Sequence, residues 1–362
     1  MAPTPVFFGL FGSNKRVKKT TDLHGFELSE ALLHNLHAKG KVPGMAVSFR
    51  RDEEILFEKG FGGLANSSKN PIDPANTYFR IASISKCITG VALARMVEQG
   101  LVDLDDSFYK HVPDYPKKQF DFTLKQLASH TAGIRAYKGK EYALNRSMTI
   151  EEGTGLFSKE PLAYIPGSDF IYTSLDFVLL SLAMEKAAGM PFEEYVEKEV
   201  LKPLHMLHTT PEARKRSLNK LKKNEVVRFY TRSGSGFRKA LKVNNFYKLA
   251  GGGYLSTAAD IATLGQAILK ENFVRPELMQ EFLAPQIVLG KNVYYGLGWQ
   301  ASQDIAGRHY YGHVGNSVGA YTNFYVYPHE RLVVSILINS SDPKVQPELD
   351  EAIDAALRHI NG

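Results

Sequence analysis

Cysteine is almost missing from this 362-residue chain; Cys87 stands alone, so no intrachain disulfide can form. That leaves the redox compartment open, and Cys87 reads as a small packing residue. Long apolar runs are missing too. No stretch approaches the roughly 20 residues that a bilayer-crossing helix needs. The chain lacks a phosphate-binding glycine loop and an H-E-x-x-H pattern. His205 and His208 are three apart, but no third ligand accompanies them, so no metal site is expected. Internal repeats and low-complexity stretches do not occur. Near the start, the apolar run Val6 to Phe11 has no preceding positive charge and no small-residue cleavage site after it, which makes it a poor signal peptide.

Charge is unevenly spread along the chain. From Arg214 to Lys248 the chain carries twelve Lys/Arg against Glu225 alone, a local charge of +11. The whole chain is +6, so the remainder is −5. The basic character belongs to that segment, and Phe229, Tyr230, Phe237, Phe246 and Tyr247 are interleaved in it. A solvated surface hairpin is the simpler reading, and a patch for an anionic partner the sharper one. No nucleic-acid module accompanies it, so nucleic acid is not an expected partner.

What the chain does have is ample apolar material, 44% of its residues, enough for one large domain or two intimately joined ones. Glu27 to Ala38 has helical periodicity. Met45, Val47 and Phe49 alternate in strand period, and Ile55 with Phe57 gives a second strand across Arg51-Asp-Glu-Glu54, the spacing of an antiparallel hairpin. From Leu101 to about Arg216 the pattern is helical with frequent Pro and Gly breaks, and Thr123 with Gln126 makes a capping box. After the basic segment come a helix at Thr257 to Leu269, strands at Tyr310 to Gly312, Tyr321 to Tyr327 and Leu332 to Ile338, and a closing helix using Leu349, Ile353 and Leu357. Leu332 to Ile338 is nearly continuous hydrophobe, the mark of a central strand covered on both faces. These elements predict a mixed α/β (α+β) fold, an antiparallel sheet flanked by helices with an inserted all-helical domain. The expected partition is a tail over 1–24, a sheet domain from 25–100 and 225–362, and a helical domain over 101–224.

The chemistry concentrates at Arg80-Ile-Ala-Ser83-Ile-Ser-Lys86. Residues i and i+3 share a helix face, so the Lys86 amine can reach the Ser83 hydroxyl at the start of an amphipathic helix. A serine hydroxyl needs a neighbour to take its proton before it becomes a good nucleophile. Two further motifs follow in order: Tyr172-Thr-Ser174 in a loop before an apolar helix, and His313-Val-Gly315-Asn316 on a strand. Free Lys and Tyr titrate near ~10.4 and ~10, so neither is a base at neutral pH unless perturbed. Crowding couples them: a cationic Lys86 favours a Tyr172 phenolate, and desolvation favours a neutral Lys86. The sequence assigns the base to neither. Gly315-Asn-Ser317-Val-Gly319 matches the G-x-S-x-G nucleophile elbow, but a strand rather than a helix follows, so it reads as a decoy. His130 reads as a structural hydrogen-bonder.

With these motifs in this order, the chain resembles the serine β-lactamase and penicillin-binding-protein superfamily, over nearly its whole length. Phe79 to Lys86, Leu127-Ala-Ser-His-Thr-Ala-Gly133, Tyr172-Thr-Ser174, Ala250-Gly-Gly-Gly-Tyr-Leu-Ser-Thr257-Ala-Ala-Asp260 and His313-Val-Gly315 carry the resemblance. It is similar to the class C β-lactamases, D,D-carboxypeptidases and esterases, and its pattern looks like that of the mitochondrial β-lactamase-like serine proteases and their bacterial relatives. The resemblance implies a β-lactamase/transpeptidase-like fold and a serine hydrolase acting on a small-molecule or peptide amide or ester. It implies no metal or cofactor, and a periplasmic, cell-envelope or organellar setting. Ser83 would be the acylated nucleophile, with Lys86 and Tyr172 sharing proton transfer. Ser174 stands where Asn is usual in Y-x-N, and His313 to Gly315 where K-T-G is usual. The backbone N–H groups of Ser83 and Asn316 would form the oxyanion hole. Ser174 has no amide to offer a substrate carbonyl, and His313 replaces a permanent cation. Both departures favour peptide or ester hydrolysis over antibiotic resistance. If His313 held a substrate carboxylate as imidazolium, affinity would fall as pH rises through ~6.5. The alternative is a catalytically weak scaffold or binding protein that kept the fold.

Overall fold

A computed structural model describes residues 16–65, 70–212, 225–234 and 236–361. The apolar start at Val6 to Phe11, and the basic residues Arg214, Lys215, Arg216, Lys220, Lys222 and Lys223, lie outside the described residues.

Strands β1 (Met45–Arg51) and β2 (Glu54–Phe61) form the expected hairpin. They join four strands from the far end of the chain: β3 (Gln300–Gln303), β4 (His309–Ser317), β5 (Ala320–Tyr327) and β6 (Leu332–Ile338). The six-stranded order is β3-β4-β5-β6-β1-β2, antiparallel throughout. β6 is central in that order, and the register Met45↔Ile338 through Arg51↔Leu332 sets β1 beside it, bringing residues nearly three hundred positions apart side by side.

Period-2 alternation divides the side chains of these strands between two cores. Met45, Val47, Phe49, Val334, Ile336 and Ile338 point to the face covered by α1 (Gly25–Ala38) and α5 (Gln346–Asn361), which pack on each other. Ala46, Val333, Leu337, Phe324 and Val326 point to the other face. There α4 (Ala258–Lys270) lies on β1, β5 and β6, and a single apolar cluster runs on into the helices between residues 85 and 201. This is why Leu332 to Ile338 is apolar at every position: each residue of β6 is buried.

Two central helices carry the site. α2 (Ser85–Glu98) is buried almost all round, from Ser85 through Ala94 without a break. It is a core helix rather than the amphipathic one that the sequence suggested. α3 (Ser174–Ala188) is likewise buried from Leu175 to Met184, with the Thr173 hydroxyl capping its N-terminus. The Thr123–Gln126 capping box forms as expected. No helix among the described residues is long and apolar enough to cross a membrane.

Candidate active site

The turn that presents Ser83 is held from both sides. Phe79 and Arg80 pair with Ser256 and Leu255. The chain then tightens into a 3-10 turn, Ala82–Ile84, before α2 begins. Ala82 adopts φ +48°, a left-handed conformation costly for a residue with a Cβ. Strand β4 abuts this turn through Gly315. A Cβ there would lie 2.3 Å from Thr322 Oγ1, 2.9 Å from Ala82 Cβ and 3.0 Å from the Ile81 carbonyl. Only glycine lets the strand come so close. Thr322 adds a clamp by donating its hydroxyl to the Ile81 carbonyl at 3.1 Å.

Three separate parts of the chain converge on the Ser83 hydroxyl. The Lys86 Nζ lies 3.3 Å from Ser83 Oγ, 3.0 Å from Ser174 Oγ and 2.7 Å from the Gly251 carbonyl oxygen. The Tyr172 phenol donates to Ser83 Oγ at 2.6 Å. Gly251 comes from the Ala250 to Asp260 run, where a Cβ would meet Ser174 Cβ at 2.9 Å. That close approach puts its carbonyl on the lysine. The arrangement matters for proton count. A neutral amine has two N–H donors and one lone pair. Gly251 can only accept, and Ser174 can accept, so the lone pair is left for the Ser83 proton.

Electrostatics point the same way. Lys86 is wholly buried, and desolvation brings its pKa down to about 7; the nearby Lys248 ammonium pushes in the same direction, while Cys87 and Asp176 oppose it. Burial raises the Tyr172 pKa despite the hydrogen bond to Ser83, which lowers it. Tyr172 is 40% exposed as a whole, but its hydroxyl is turned onto Ser83 within the packed site. The phenol therefore keeps its proton and the amine gives its own up. Around neutral pH the amine, unlike the phenol, can therefore shed its proton in part.

Beneath them lies a buried polar layer. His130 Nδ1 and Asp176 Oδ2 are 2.8 Å apart, both side chains essentially without solvent contact. Burial pushes the Asp176 carboxyl up and the His130 imidazole down, so the charged form of each is disfavoured. The His130 ring packs at a tilt against Tyr172, with centroids 4.6 Å apart and planes at 58°, and against Tyr295 at 4.8 Å and 56°. His130 does hydrogen-bond structurally, as the sequence suggested, but directly below the candidate proton donor. His313 is 1% exposed. Its Nδ1 donates to the Val314 carbonyl at 2.6 Å, and its Nε2 accepts from the Tyr295 hydroxyl at 3.1 Å. Desolvation, with Lys86 nearby, takes its pKa down to about 3. A carboxylate-binding imidazolium at His313, the expectation raised above, does not fit a neutral ring with both nitrogens engaged.

A cleft of about 600 Å³ opens over Ser83. Tyr137, Tyr142 and Tyr172 line one wall, and Asn316, Ser317 and Ser341 line the other. Asn316 and Ser317 lie on β4 opposite Tyr321 and Ala320. This strand context removes Ser317 from any nucleophile elbow, although its hydroxyl borders the cleft. Ser83, Tyr172, Ser174 and Asn316 thus share one cleft; Lys86, Gly315 and His313 lie buried behind it, against Ser174, Ala82 and Tyr172 respectively. Missing from the sequence reading were Gly251, Asp176, Tyr295 and Tyr137. The run of three glycines at 251–253 was the one available signal; nothing local marks Asp176 as the partner of a histidine 46 positions earlier.

The β-lactamase family profile matches residues 30–358. The chain belongs to the β-lactamase family. Among curated relatives, the mitochondrial serine β-lactamase-like protein LACTB of Homo sapiens is 27% identical, over 84% of this chain and 72% of its own. A solved β-lactamase-fold structure, the octameric penicillin-binding protein homologue from Pyrococcus abyssi, is 26% identical with a TM-score of 0.79, covering 91% of this chain and 77% of that one. The D-amino acid amidase from Ochrobactrum anthropi shares the fold at 20% identity and TM-score 0.79, over 92% of this chain and 98% of that one. Membership places the chain in a serine-hydrolase superfamily, and the antiparallel sheet with flanking helices is that fold.

Proposed function

We propose that this protein is a serine hydrolase that cleaves an amide or ester through an acyl-enzyme on Ser83. One observation carries the reading: an amine and a phenol from different parts of the chain meet at the same hydroxyl, at 3.3 and 2.6 Å. In the proposed cycle, neutral Lys86 takes the Ser83 proton as Oγ attacks the substrate carbonyl. The backbone N–H groups of Ser83 and Asn316 hold the oxyanion, each contributing about 3–4 kcal/mol by analogy with measured sites. Tyr172 donates its proton to the leaving nitrogen or oxygen and is recharged from the Lys86 ammonium. Water then attacks the acyl carbonyl, with the restored amine as the base within reach.

The hydroxyl of Ser174 in place of an amide supports peptide or ester substrates over β-lactams. The human relative is named as mitochondrial, and we extend to this chain an organellar or cell-envelope setting. The test is covalent. A fluorophosphonate or fluorescent penicillin should form an adduct that mass spectrometry maps to Ser83, and Ser83→Ala should abolish it. An adduct on Ser317, or labelling that persists in Ser83→Ala, sinks the assignment.

A further inference from the structure

The described part of the basic segment folds over the cleft. Residues Tyr230–Ser233 and Gly236–Lys239 form a hairpin whose flank pairs with Ser340–Ser341, just beyond β6. Arg238 sits opposite Thr231 across the hairpin, and cross-strand partners project from the same face. Thr231 Oγ1 is 3.3 Å from Ser341 Oγ, and Thr231, Arg238 and Ser341 all line the cleft. Ala240, two positions on and on the same face, is buried against Gly319, which turns this face inward.

The charges there are unbalanced. Asp342 is the acid on this rim, and it ion-pairs with Lys344 at 2.7 Å. Among the described residues no carboxylate pairs with Arg238 or Lys239, and both are exposed. The neighbouring Arg232 faces away and donates to the Pro343 carbonyl at 3.2 Å. His313, where the family resemblance puts a cation, offers none. Lys239 also lines the cleft, beside three tyrosines and several hydroxyls; of the two cations the Arg238 guanidinium, with Thr231 and Ser341 on the same lining, has the fork that can grip a carboxylate with two parallel N–H groups, where an ammonium is a point charge.

We propose that Arg238, with Thr231 and Ser341, binds a carboxylate on the substrate, so that the enzyme prefers amides or esters carrying one anionic end. This rests on Ser83 being the acylated residue, and it moves anion recognition from the strand at His313 to the hairpin of the basic segment. The cation is thereby carried on an element that borders the cleft rather than on its floor.

The test uses the full chain and reads protection of Ser83 from fluorophosphonate labelling, so that no turnover is required. Two matched pairs place the carboxylate on either side of the scissile bond: glutaryl 4-nitroanilide against its methyl ester, and 4-butyramidobenzoate against its carboxamide. In at least one pair the carboxylate should protect at about a tenfold lower concentration than its neutral mate, the scale of one charge-assisted hydrogen bond. Arg238→Ala should erase that preference, Arg238→Lys should keep part of it, and Arg238→Glu should invert it. Arg232→Ala removes the same charge from the same hairpin outside the cleft and should keep the preference. Equal protection within both pairs overturns the proposal, as does equal loss in Arg238→Ala and Arg232→Ala. Failure of the unprotected protein to label at Ser83 overturns the hydrolase reading itself, which separates the two failures.

Discussion

The two faces of the central sheet are built on opposite rules. Against α1 and α5 the sheet buries Val47, Phe49, Val334, Ile336, Leu349 and Ile353, aliphatic and aromatic side chains that stabilise by leaving water. Against α2 and α3 the chain also buries Lys86, His130 and Asp176, and bends Ala82 into a left-handed conformation. None of these is what a stability-driven core would select. The first face shows what holds the protein together, and the second what stability concedes so that chemistry can occur.

Lys86→Met should separate the faces most sharply. Acylation of Ser83 should fall about 10³-fold, the usual worth of a positioned base. In the parent protein the acylation rate should rise with pH to a plateau around the Lys86 pKa of about 7, and this limb should vanish in the variant. The stability sign follows from the same shift. Unfolded Lys titrates near ~10.4, so between pH 7 and 10 the unfolded chain binds the extra proton. Wild-type stability relative to Lys86→Met should therefore rise as pH goes from 7 to 10 and stay flat below 7. Denaturant melts of both proteins at pH 6, 7 and 9.5 check this, and a gap that does not change with pH refutes the neutral amine.

Gly315→Ala comes next. The added methyl pushes β4 off the Ser83 turn, and displacement of about 1 Å at a reacting group costs on the order of 10²-fold. Labelling kinetics should show it, and an unchanged rate would mean that the strand does not position the nucleophile. Ile336→Ala probes the other face. Cavity formation should cost about 2–5 kcal/mol in unfolding free energy, with the labelling rate of the folded protein within about twofold of the parent. A large loss of rate there would erase the contrast between the faces.

Much of the scaffold was legible because it is local. Alternation exposed the Met45 to Phe61 hairpin, continuous hydrophobe exposed β6, and Thr123 with Gln126 declared its own cap. The S-x-x-K spacing put Lys86 next to Ser83 for the same reason. What the residue pattern could not disclose is set by packing across long separations. The all-round burial of α2 depends on partners up to two hundred residues away, and so does the depressed pKa of its lysine. His313 looked like a titratable cation until Tyr295 and the Val314 carbonyl were seen to occupy both nitrogens. The hairpin of the basic segment was among the readings of the sequence, but its place on the cleft was not, because composition says how basic a segment is and not which way it folds.

The register that sets β1 beside β6 has a temporal consequence. Ser83 and Lys86 are made before Tyr172, and Tyr172 before the strand carrying Asn316. A ribosome-bound chain stopped before residue 300 holds the nucleophile but neither the clamp on its turn nor the second oxyanion donor. Under the proposed cycle, hydrolytic capacity arrives all at once, when β3 to β6 zip into the sheet, and a chain that still lacks them is harmless to the amides and esters around it.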